Sequence, residues 1–376
     1  MKIGLVCPYN IFRGGGVQEC VLALYDGLER RGHDVVIITP RSSNIPDVYN
    51  QNIIFVGRAK AIKAAHTYAE VSINIEPDKI ENMLEAHNFD LLHFHEPWLP
   101  FISAQVISKS LAIHVGTFHA AMSERLTSKT YEKMIKPYAK SILKYLDHMT
   151  AVSDTATNYL KTLTEKNVQI IPNGIDLRKY KETNTHTPDP KKHTILYIGR
   201  LEKRKGVKYL LDAFKIVSDS DSSYHLLIAG EGPDKTKTIE YAKKEGIKNV
   251  EFLGYVDDNK KLELLGMADV FCSPALYGES FGIVLLEAMA SGCVTVAGNN
   301  GGYSSVMQDR GQISLVDPKD SKVFAERLKL LATDDIIRKA WREWAREYVK
   351  NFDYEQVIDQ YEEVYKKLYA ERKNKT

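Results

Sequence analysis

At 376 residues the chain has room for two or three domains of roughly 100–200 residues each. Its 44% hydrophobic and 27% charged content argues against disorder, and 51 Lys+Arg against 49 Asp+Glu leave a net +2, too little bulk charge to recruit nucleic acid. Cys7, Cys20, Cys272 and Cys293 show no C-x-x-C spacing and lie in or beside apolar runs, so they read as reduced core thiols of a cytosolic protein. The apolar run in Met1–Pro8 is too short for a signal peptide, and no run approaches 18 uninterrupted apolar residues, so neither secretion nor a membrane span is expected.

In chain order, strands are predicted at Ile3–Cys7, Val35–Thr39, Leu91–Phe94, Ile113–Thr117, His148–Val152 and Val168–Ile171. Between the first two, Val17, Val21, Leu24 and Leu28 repeat with a helical period that ends at Gly32. Apolar strands separated by helices imply parallel strands covered on both faces. The polar stretch Lys181–His193, with two prolines, reads as a linker. The alternation restarts with strands at Ile195–Ile198, Leu226–Ala229, Val250–Phe252, Val270–Cys272 and Val294–Ala297. Helices are predicted between them at Val207–Val217, Asp234–Glu245, Lys260–Met267 and Ile283–Ala290, and the last stretch, Ile337–Arg372, reads as helix-rich. The fold class is therefore α/β with two doubly wound halves. Small ligands in such sheets bind beyond the carboxyl ends of the strands.

Three segments carry chemistry. Strand one runs through Pro8-Tyr9-Asn10 into Gly14-Gly15-Gly16 and then a helix, a turn that lets backbone amides approach an anion. The first strand of the second half ends in Gly199-Arg200-Leu201-Glu202-Lys203-Arg204-Lys205-Gly206, four cations in six residues that repel one another unless an anion joins them. A pyrophosphate is the expected partner. In the third segment, Pro274–Gly292, Glu279 stands in the loop before a helix and Glu287 lies about two turns into it. Amides of Phe281, Gly282, Ile283 and Val284 are the unpaired donors of the first turn, suited to an anion. A carboxylate in an otherwise apolar helix is costly unless hydrogen-bonded, as Glu287 would be to sugar hydroxyls.

The string from Glu279 to Glu287 resembles the E-x7-E motif of retaining glycosyltransferases of family 4, which have the GT-B fold. The resemblance runs along essentially the whole chain, through His95-Glu96-Pro97, Thr117-Phe118-His119, Pro172-Asn173-Gly174-Ile175-Asp176, Gly199-Arg200, Lys205-Gly206, Ala229-Gly230-Glu231-Gly232-Pro233 and Gly254-Tyr255-Val256. Within the family, V-C-P-Y at 6–9, G-G-V-Q at 15–18 and H-E-P at 95–97 look most like phosphatidylinositol mannosyltransferases. The resemblance implies two facing Rossmann-like domains with a cleft between them. These would be 1–185, joined by a C-terminal helix at about 353–376, and a nucleotide-sugar-binding domain, 190–350. It also implies that Gly15 and Gly16 approach the β-phosphate, that Arg200 and Lys205 bind the diphosphate, and that Glu279 holds the donor sugar. Glu287 would hold the ribose and Val256 would lie against the base. His119 would work near the reacting carbon, with Tyr9 and Gln18 on the acceptor side. The reaction implied is retaining hexose transfer, with GDP-mannose as the first donor and a UDP-hexose as the second. No metal ion or cofactor is expected. The acceptor would be a lipid or lipid-linked glycan, phosphatidylinositol among them.

Two surface features bear on the acceptor. The segment Ile75–Glu85 is net acidic, against a basic amphipathic one in the phosphatidylinositol enzymes, and this keeps a soluble glycan or small molecule as a second acceptor reading. Lys129, Lys133, Lys136, Lys140 and Lys144 form a stripe along a predicted helix interrupted near Pro137, with Tyr131, Met134, Ile135, Tyr138, Ile142 and Tyr145 opposite. Such a stripe fits either a solvated face or peripheral attachment to an anionic membrane. Other classes fit less well. Asp219-Ser220-Asp221 sits in a polar stretch after a helix, where a metal-dependent transferase needs Asp-x-Asp at a strand end, and a nicotinamide dehydrogenase needs a G-x-G-x-x-G that the first turn lacks. A sugar-nucleotide epimerase and a non-catalytic sugar-nucleotide binder stay as alternatives of another class.

Overall fold

The computed structural model describes residues 1–42, 45–46, 49–64, 67–72, 77–99, 102–120, 129–180 and 192–374, with side chains for all but 60–64, 67–72 and 129–135. The chain divides into two compact units, Met1–Gly174 with Tyr354–Thr376, and Ile175–Asp353.

The first unit holds β1 (Lys2–Val6), α1 (Gly16–Arg30), β2 (Asp34–Arg41), β3 (Ile53–Ala64), β4 (Thr67–Ser72), α2 (Pro77–His87), β5 (Leu91–His95), α3 (Ile102–Lys109), β6 (Ile113–Phe118), α4 (Lys129–Leu143), β7 (His148–Ala151), α5 (Asp154–Leu160) and β8 (Gln169–Ile170). Among the described residues eight strands form one sheet in the order β4-β3-β2-β1-β5-β6-β7-β8. Every pair is parallel except β3 with β4. Strand order reverses direction at β1, so the topological switch point lies between β1 and β5.

The second unit holds β9 (His193–Ile198), α6 (Val207–Ser220), β10 (Tyr224–Ala229), α7 (Lys235–Lys244), β11 (Val250–Gly254), α8 (Asp258–Met267), β12 (Val270–Ser273), α9 (Ile283–Ala290), β13 (Val294–Gly298), α10 (Gly301–Val306), β14 (Leu315–Val316), α11 (Ser321–Thr333) and α12 (Asp335–Tyr348). Its sheet runs β11-β10-β9-β12-β13-β14, all parallel, with the switch point between β9 and β12. The chain enters and leaves this unit side by side. Ile175 N–H donates to the Phe352 carbonyl oxygen (2.8 Å) and Ile175 pairs in parallel with Asp353.

The last helix, α13 (Tyr354–Lys373), belongs to the first unit. Val357, Ile358, Tyr361, Val364 and Tyr365 recur at helical spacing and are all buried in the core that includes Cys20, Val21, Leu24 and Leu28 of α1. Gly27 of α1 makes the contact close, since a Cβ there would strike the Ile358 side chain. Arg31 adds pairs to Glu355 (2.9 Å) and Asp359 (2.7 Å), whose acidic side chains are about half exposed. Exposed pairs are worth about 0–1 kcal/mol, whereas each fully buried aliphatic or aromatic side chain contributes roughly 1.5–3 kcal/mol. Packing therefore holds α13 in place.

Several sequence expectations shift. The contact boundary falls at Gly174–Ile175, upstream of the polar stretch, of which 181–191 lie outside the described residues. The α4 helix runs through Pro137 instead of breaking there. Of its predicted stripes, Lys140 is exposed and Ile142 is buried, but Lys144 and Tyr145 lie past the helix end, both exposed. The side chains of Lys129, Tyr131, Lys133, Met134 and Ile135 lie outside the described set. Part of the acidic segment, from Pro77 on, forms α2, and upstream of it Arg58, Lys60 and Lys63 fall on β3. Among the described residues no helix is long and apolar enough to cross a membrane.

Candidate active site

In the second unit, two loops leave the switch point. The loop after β9 makes a 3-10 turn at Lys203–Lys205 and ends on Gly206 with φ 71°. A Cβ at Gly206 would strike the Pro274 carbonyl oxygen, so only glycine lets this loop lie against the loop after β12. Leu276 N–H donates to the Arg204 carbonyl oxygen (2.8 Å), which joins the two loops through their backbones.

This junction assembles a charged array. Arg204 Nη1 stands 2.5 Å from Glu279 Oε1, and Lys205 Nζ reaches the same oxygen at 2.9 Å. Arg204 Nη2 also pairs with Glu202 Oε1 at 2.7 Å. Burial opposes the Arg204 charge, but Glu279 and Glu202 outweigh it and hold the guanidinium pKa above its usual value. The anionic partner that the basic run needs is thus supplied in part by the chain's own carboxylates. Arg200 differs: its side chain is 42% exposed and stands 4.0 Å from Glu202 Oε2. The structure brings Lys205 and Glu279 into contact, and leaves Arg200 at the edge of the same array.

Glu287 has separate partners. It is buried in α9, where Lys261 Nζ of α8 lies 2.7 Å from Oε1 and the Tyr180 hydroxyl donates to the same oxygen at 3.2 Å. Burial works against the Lys261 ammonium, yet Glu287 raises its pKa overall. Gly282 caps α9 with φ 130° and no side-chain cap, so the amides of Ile283 and Val284 open the helix, while Phe281 is buried beside Phe352 with ring centroids 5.8 Å apart. After β11, Tyr255 is 78% exposed and Val256 half-buried, and Asp257 caps α8 by accepting from Lys260 N–H (2.8 Å).

In the first unit, the segments leaving β1, β5 and β6 converge. Gly15 is the N-cap of α1 and offers no side-chain cap, and Gly16 begins the helix. Gln18 Nε2 donates back to the Asn10 carbonyl oxygen (3.3 Å), folding the glycine turn onto the segment that holds Tyr9. His119 follows β6. Its Nε2 lies 2.9 Å from His95 Nδ1, and the two rings stack at 5.2 Å. Burial lowers the His119 pKa to about 4, so the ring is uncharged at neutral pH. Cys20, His95 and His119 bring side-chain heteroatoms within 4.8 Å of one another, with the two imidazoles bonded to each other.

Glu96 stands beside them. It is 1% exposed and has φ 52°, a left-handed conformation that costs a non-glycine residue on the order of 1–3 kcal/mol. Its Oε1 accepts from the amides of His119 (2.6 Å) and Ala120 (2.5 Å), and its Oε2 accepts from Trp98 Nε1. Burial raises its pKa to about 7 against these hydrogen bonds. The Tyr9 phenol is pushed well above its usual pKa, by burial first and then by the charges of Glu96 and Cys7.

The profile described as Glycosyltransferase Family 4 matches residues 14–179, and the one described as Glycosyl transferases group 1 matches 179–348. A phosphatidyl-myo-inositol mannosyltransferase of Mycobacterium leprae is 31% identical over 370 residues, covering 97% of this chain and 96% of its own. The chain is a family 4 glycosyltransferase. This glycosyltransferase is also 29% identical to an N-acetyl-alpha-D-glucosaminyl L-malate synthase of Bacillus anthracis, over 100% of this chain and 99% of the other. Among solved structures, sucrose-phosphate synthase from Thermosynechococcus elongatus superposes with a TM-score of 0.75 at 21% identity, covering 98% and 99% of the two chains. The two doubly wound units of the glycosyltransferase are therefore those of the GT-B fold.

Sequence reasoning about this glycosyltransferase missed Arg204, Lys261, Tyr180 and Glu96 as participants. Arg204 was visible as one of four cations, but its carboxylate partner lies 75 residues away. Lys261 and Tyr180 meet Glu287 from 26 and 107 residues away, and no local spacing signals either pairing. His95-Glu96-Pro97 was visible as a motif, without the contacts of its carboxylate.

Proposed function

We propose that this glycosyltransferase moves mannose from GDP-mannose, with retention at the anomeric carbon, to a phosphatidylinositol-type lipid or lipid-linked glycan at a membrane surface. The observation that carries the reading is the 31% identity to a phosphatidyl-myo-inositol mannosyltransferase over nearly the full length of both chains. The charged array supports the transfer chemistry. Arg200 and Lys205 would neutralise the departing diphosphate, the charge work that a divalent ion does elsewhere. Glu279 would exchange Lys205 for donor-sugar hydroxyls and keep Arg204. Glu287 would take the ribose hydroxyls, Val256 would lie along the base, and the amides of Phe281, Gly282, Ile283 and Val284 would face the anionic diphosphate. In the first unit, Gly15 and Gly16 would approach the β-phosphate, His119 would offer a neutral imidazole to the sugar, and Tyr9 and Gln18 would face the acceptor. Attachment to the membrane would be peripheral and reversible.

A second reading is favoured by α2, on which Asp78, Glu81 and Glu85 are exposed and would repel an anionic headgroup. In that reading the donor is a UDP-hexose and the acceptor a soluble glycan or small carboxylic acid, in keeping with the malate synthase relative. The test is a matrix of labelled GDP-mannose, UDP-glucose and UDP-N-acetylglucosamine against phosphatidylinositol vesicles and soluble acceptors, with and without EDTA. Mannosylated lipid with α-configuration, formed in EDTA, is the expected product. Transfer only from a UDP-sugar to a soluble acceptor establishes the second reading, and inverted stereochemistry rejects the mechanism.

A further inference from the structure

β6 ends at Phe118, so the amides of buried His119 and of exposed Ala120 leave the sheet ladder at the edge of a buried region. Buried amides need acceptors. Here one carboxylate oxygen serves both, as Glu96 Oε1 accepts from His119 and Ala120. The link is reciprocal, because Glu96 N–H donates to the Thr117 carbonyl oxygen at 2.8 Å. The adjacent residue, His95, holds the His119 ring through Nδ1. Two consecutive side chains of one turn therefore fix His119 at its backbone and at its imidazole. That turn is kept in a left-handed conformation at Glu96 although a glycine would adopt it freely, so the side chain is what the position requires.

We infer that Glu96 is a positioning residue of the transferase, whose carboxylate holds the backbone of His119 and so sets where that imidazole meets the substrate. This rests on the role proposed for His119 and extends it to a residue that touches no substrate. The arrangement is sensitive to protonation. A carboxylate oxygen accepts from both amides, and adding a proton to the buried group puts a donor where acceptors are needed. The titratable groups around the pair leave the neutral range to Glu96. Tyr9, on the segment after β1, titrates well above its usual value, Cys20 of α1 at about 12, His119 at about 4, and His95 well below its usual value, all by burial first. Glu96 alone among these is placed near 7.

The test has two arms on the full-length protein. In the first, backbone amide resonances of His119 and Ala120 are followed from pH 5.5 to 8.5 without substrate. They are expected to move together with a midpoint of about 7 in the wild type and to stay fixed in Glu96→Gln. Resonances that do not titrate in the wild type overturn the link, whether or not the variant folds. In the second arm, Glu96→Gln, His119→Ala and the double variant are compared in transfer assays. In Glu96→Gln the amide Nε2 sets a donor against Trp98 Nε1 and pulls the group off the two backbone amides. Expected is a loss of kcat of about 10- to 100-fold with the donor KM nearly unchanged, and no further loss when the change is made in His119→Ala. Losses that multiply in the double variant reject positioning through His119. A wild type that turns over none of the sugar nucleotides refutes the proposed function instead, and the amide titration still decides the role of Glu96.

Discussion

Lys261 Nζ lies 2.7 Å from Glu287 Oε1 and ties α8, which follows the candidate base loop, to α9, which carries the candidate ribose carboxylate. Removing the ammonium leaves Glu287 buried with the Tyr180 hydroxyl. A fifth of the Lys261 side chain is exposed, so the cost falls below that of a fully buried pair, at about 1–3 kcal/mol. Lys261→Met is expected to lower the unfolding temperature by several degrees and to raise the donor KM. Adding Glu287→Gln should restore most of the stability while donor binding stays weak, measured by thermal unfolding and donor titration.

The array around Glu279 predicts that loss of any one of Arg200, Arg204 and Lys205 slows transfer. Arg200→Ala and Lys205→Ala should lower kcat at saturating donor by about 100- to 1,000-fold, the usual loss when a group that stabilises developing charge is removed. Arg204→Ala should lower kcat as Lys205→Ala does, because Lys205 is then the remaining cation on Glu279 and is withheld from the phosphate. Full turnover in either Arg200→Ala or Lys205→Ala would remove the leaving-group role. Single-turnover rates with excess enzyme make the comparison.

Stability should fall below about pH 6.5. His93 and His119 are held neutral by burial, with pKa values of about 3 and 4, and His95 lies well below its usual value too. The unfolded chain takes up protons on these rings as pH drops through about 6.5 while the folded chain does not, so the stability present above that pH is lost progressively toward pH 4. Glu96 acts in the opposite sense, since its folded pKa of about 7 exceeds the ordinary 4.5 of a free carboxyl and its destabilising charge is relieved between those values. Urea midpoints from pH 8 to 4 should therefore fall, and fall more steeply in Glu96→Gln.

A buried pair secures the second unit. Arg338 Nη2 of α12 lies 3.0 Å from Asp269 Oδ1, both almost fully buried, and Asp269 Oδ2 accepts from Thr194 N–H (2.8 Å) at the start of β9. Arg338→Met leaves a buried carboxylate without its cation and should cost about 3–5 kcal/mol. Arg338→Met with Asp269→Asn should recover much of that, because Asn still accepts from Thr194. Urea denaturation of the two variants separates the charge from the hydrogen bond.

The alternating fold was legible because its strands are covered on both faces and read as continuous apolar runs, as at Ile3–Val6, Leu226–Ala229 and Val294–Ala297. The β3–β4 hairpin was not. Arg58, Lys60 and Lys63 interrupt its apolar residues, as befits strands near a sheet edge, where lysine discourages pairing with other chains. The α2 helix was hidden for a related reason: Ile80 and Met83 are its buried anchors and its remaining surface is acidic, so charge drew attention before period. In the candidate site, Arg200, Lys205, Glu279 and Glu287 stood out by residue type and position after strands. Lys261 and the carboxylate contacts of Glu96 come from chain segments that meet only once the sheets have formed, and no local pattern announces them.

The seating of α13 on α1 has a consequence for synthesis on the ribosome. The residues that finish the core around Cys20, Val21 and Leu24 are made only after the whole of Ile175–Asp353 has been translated. The second unit is continuous in sequence and can close as it emerges, whereas the first must wait with part of α1 uncovered. The half translated first is thus expected to mature last.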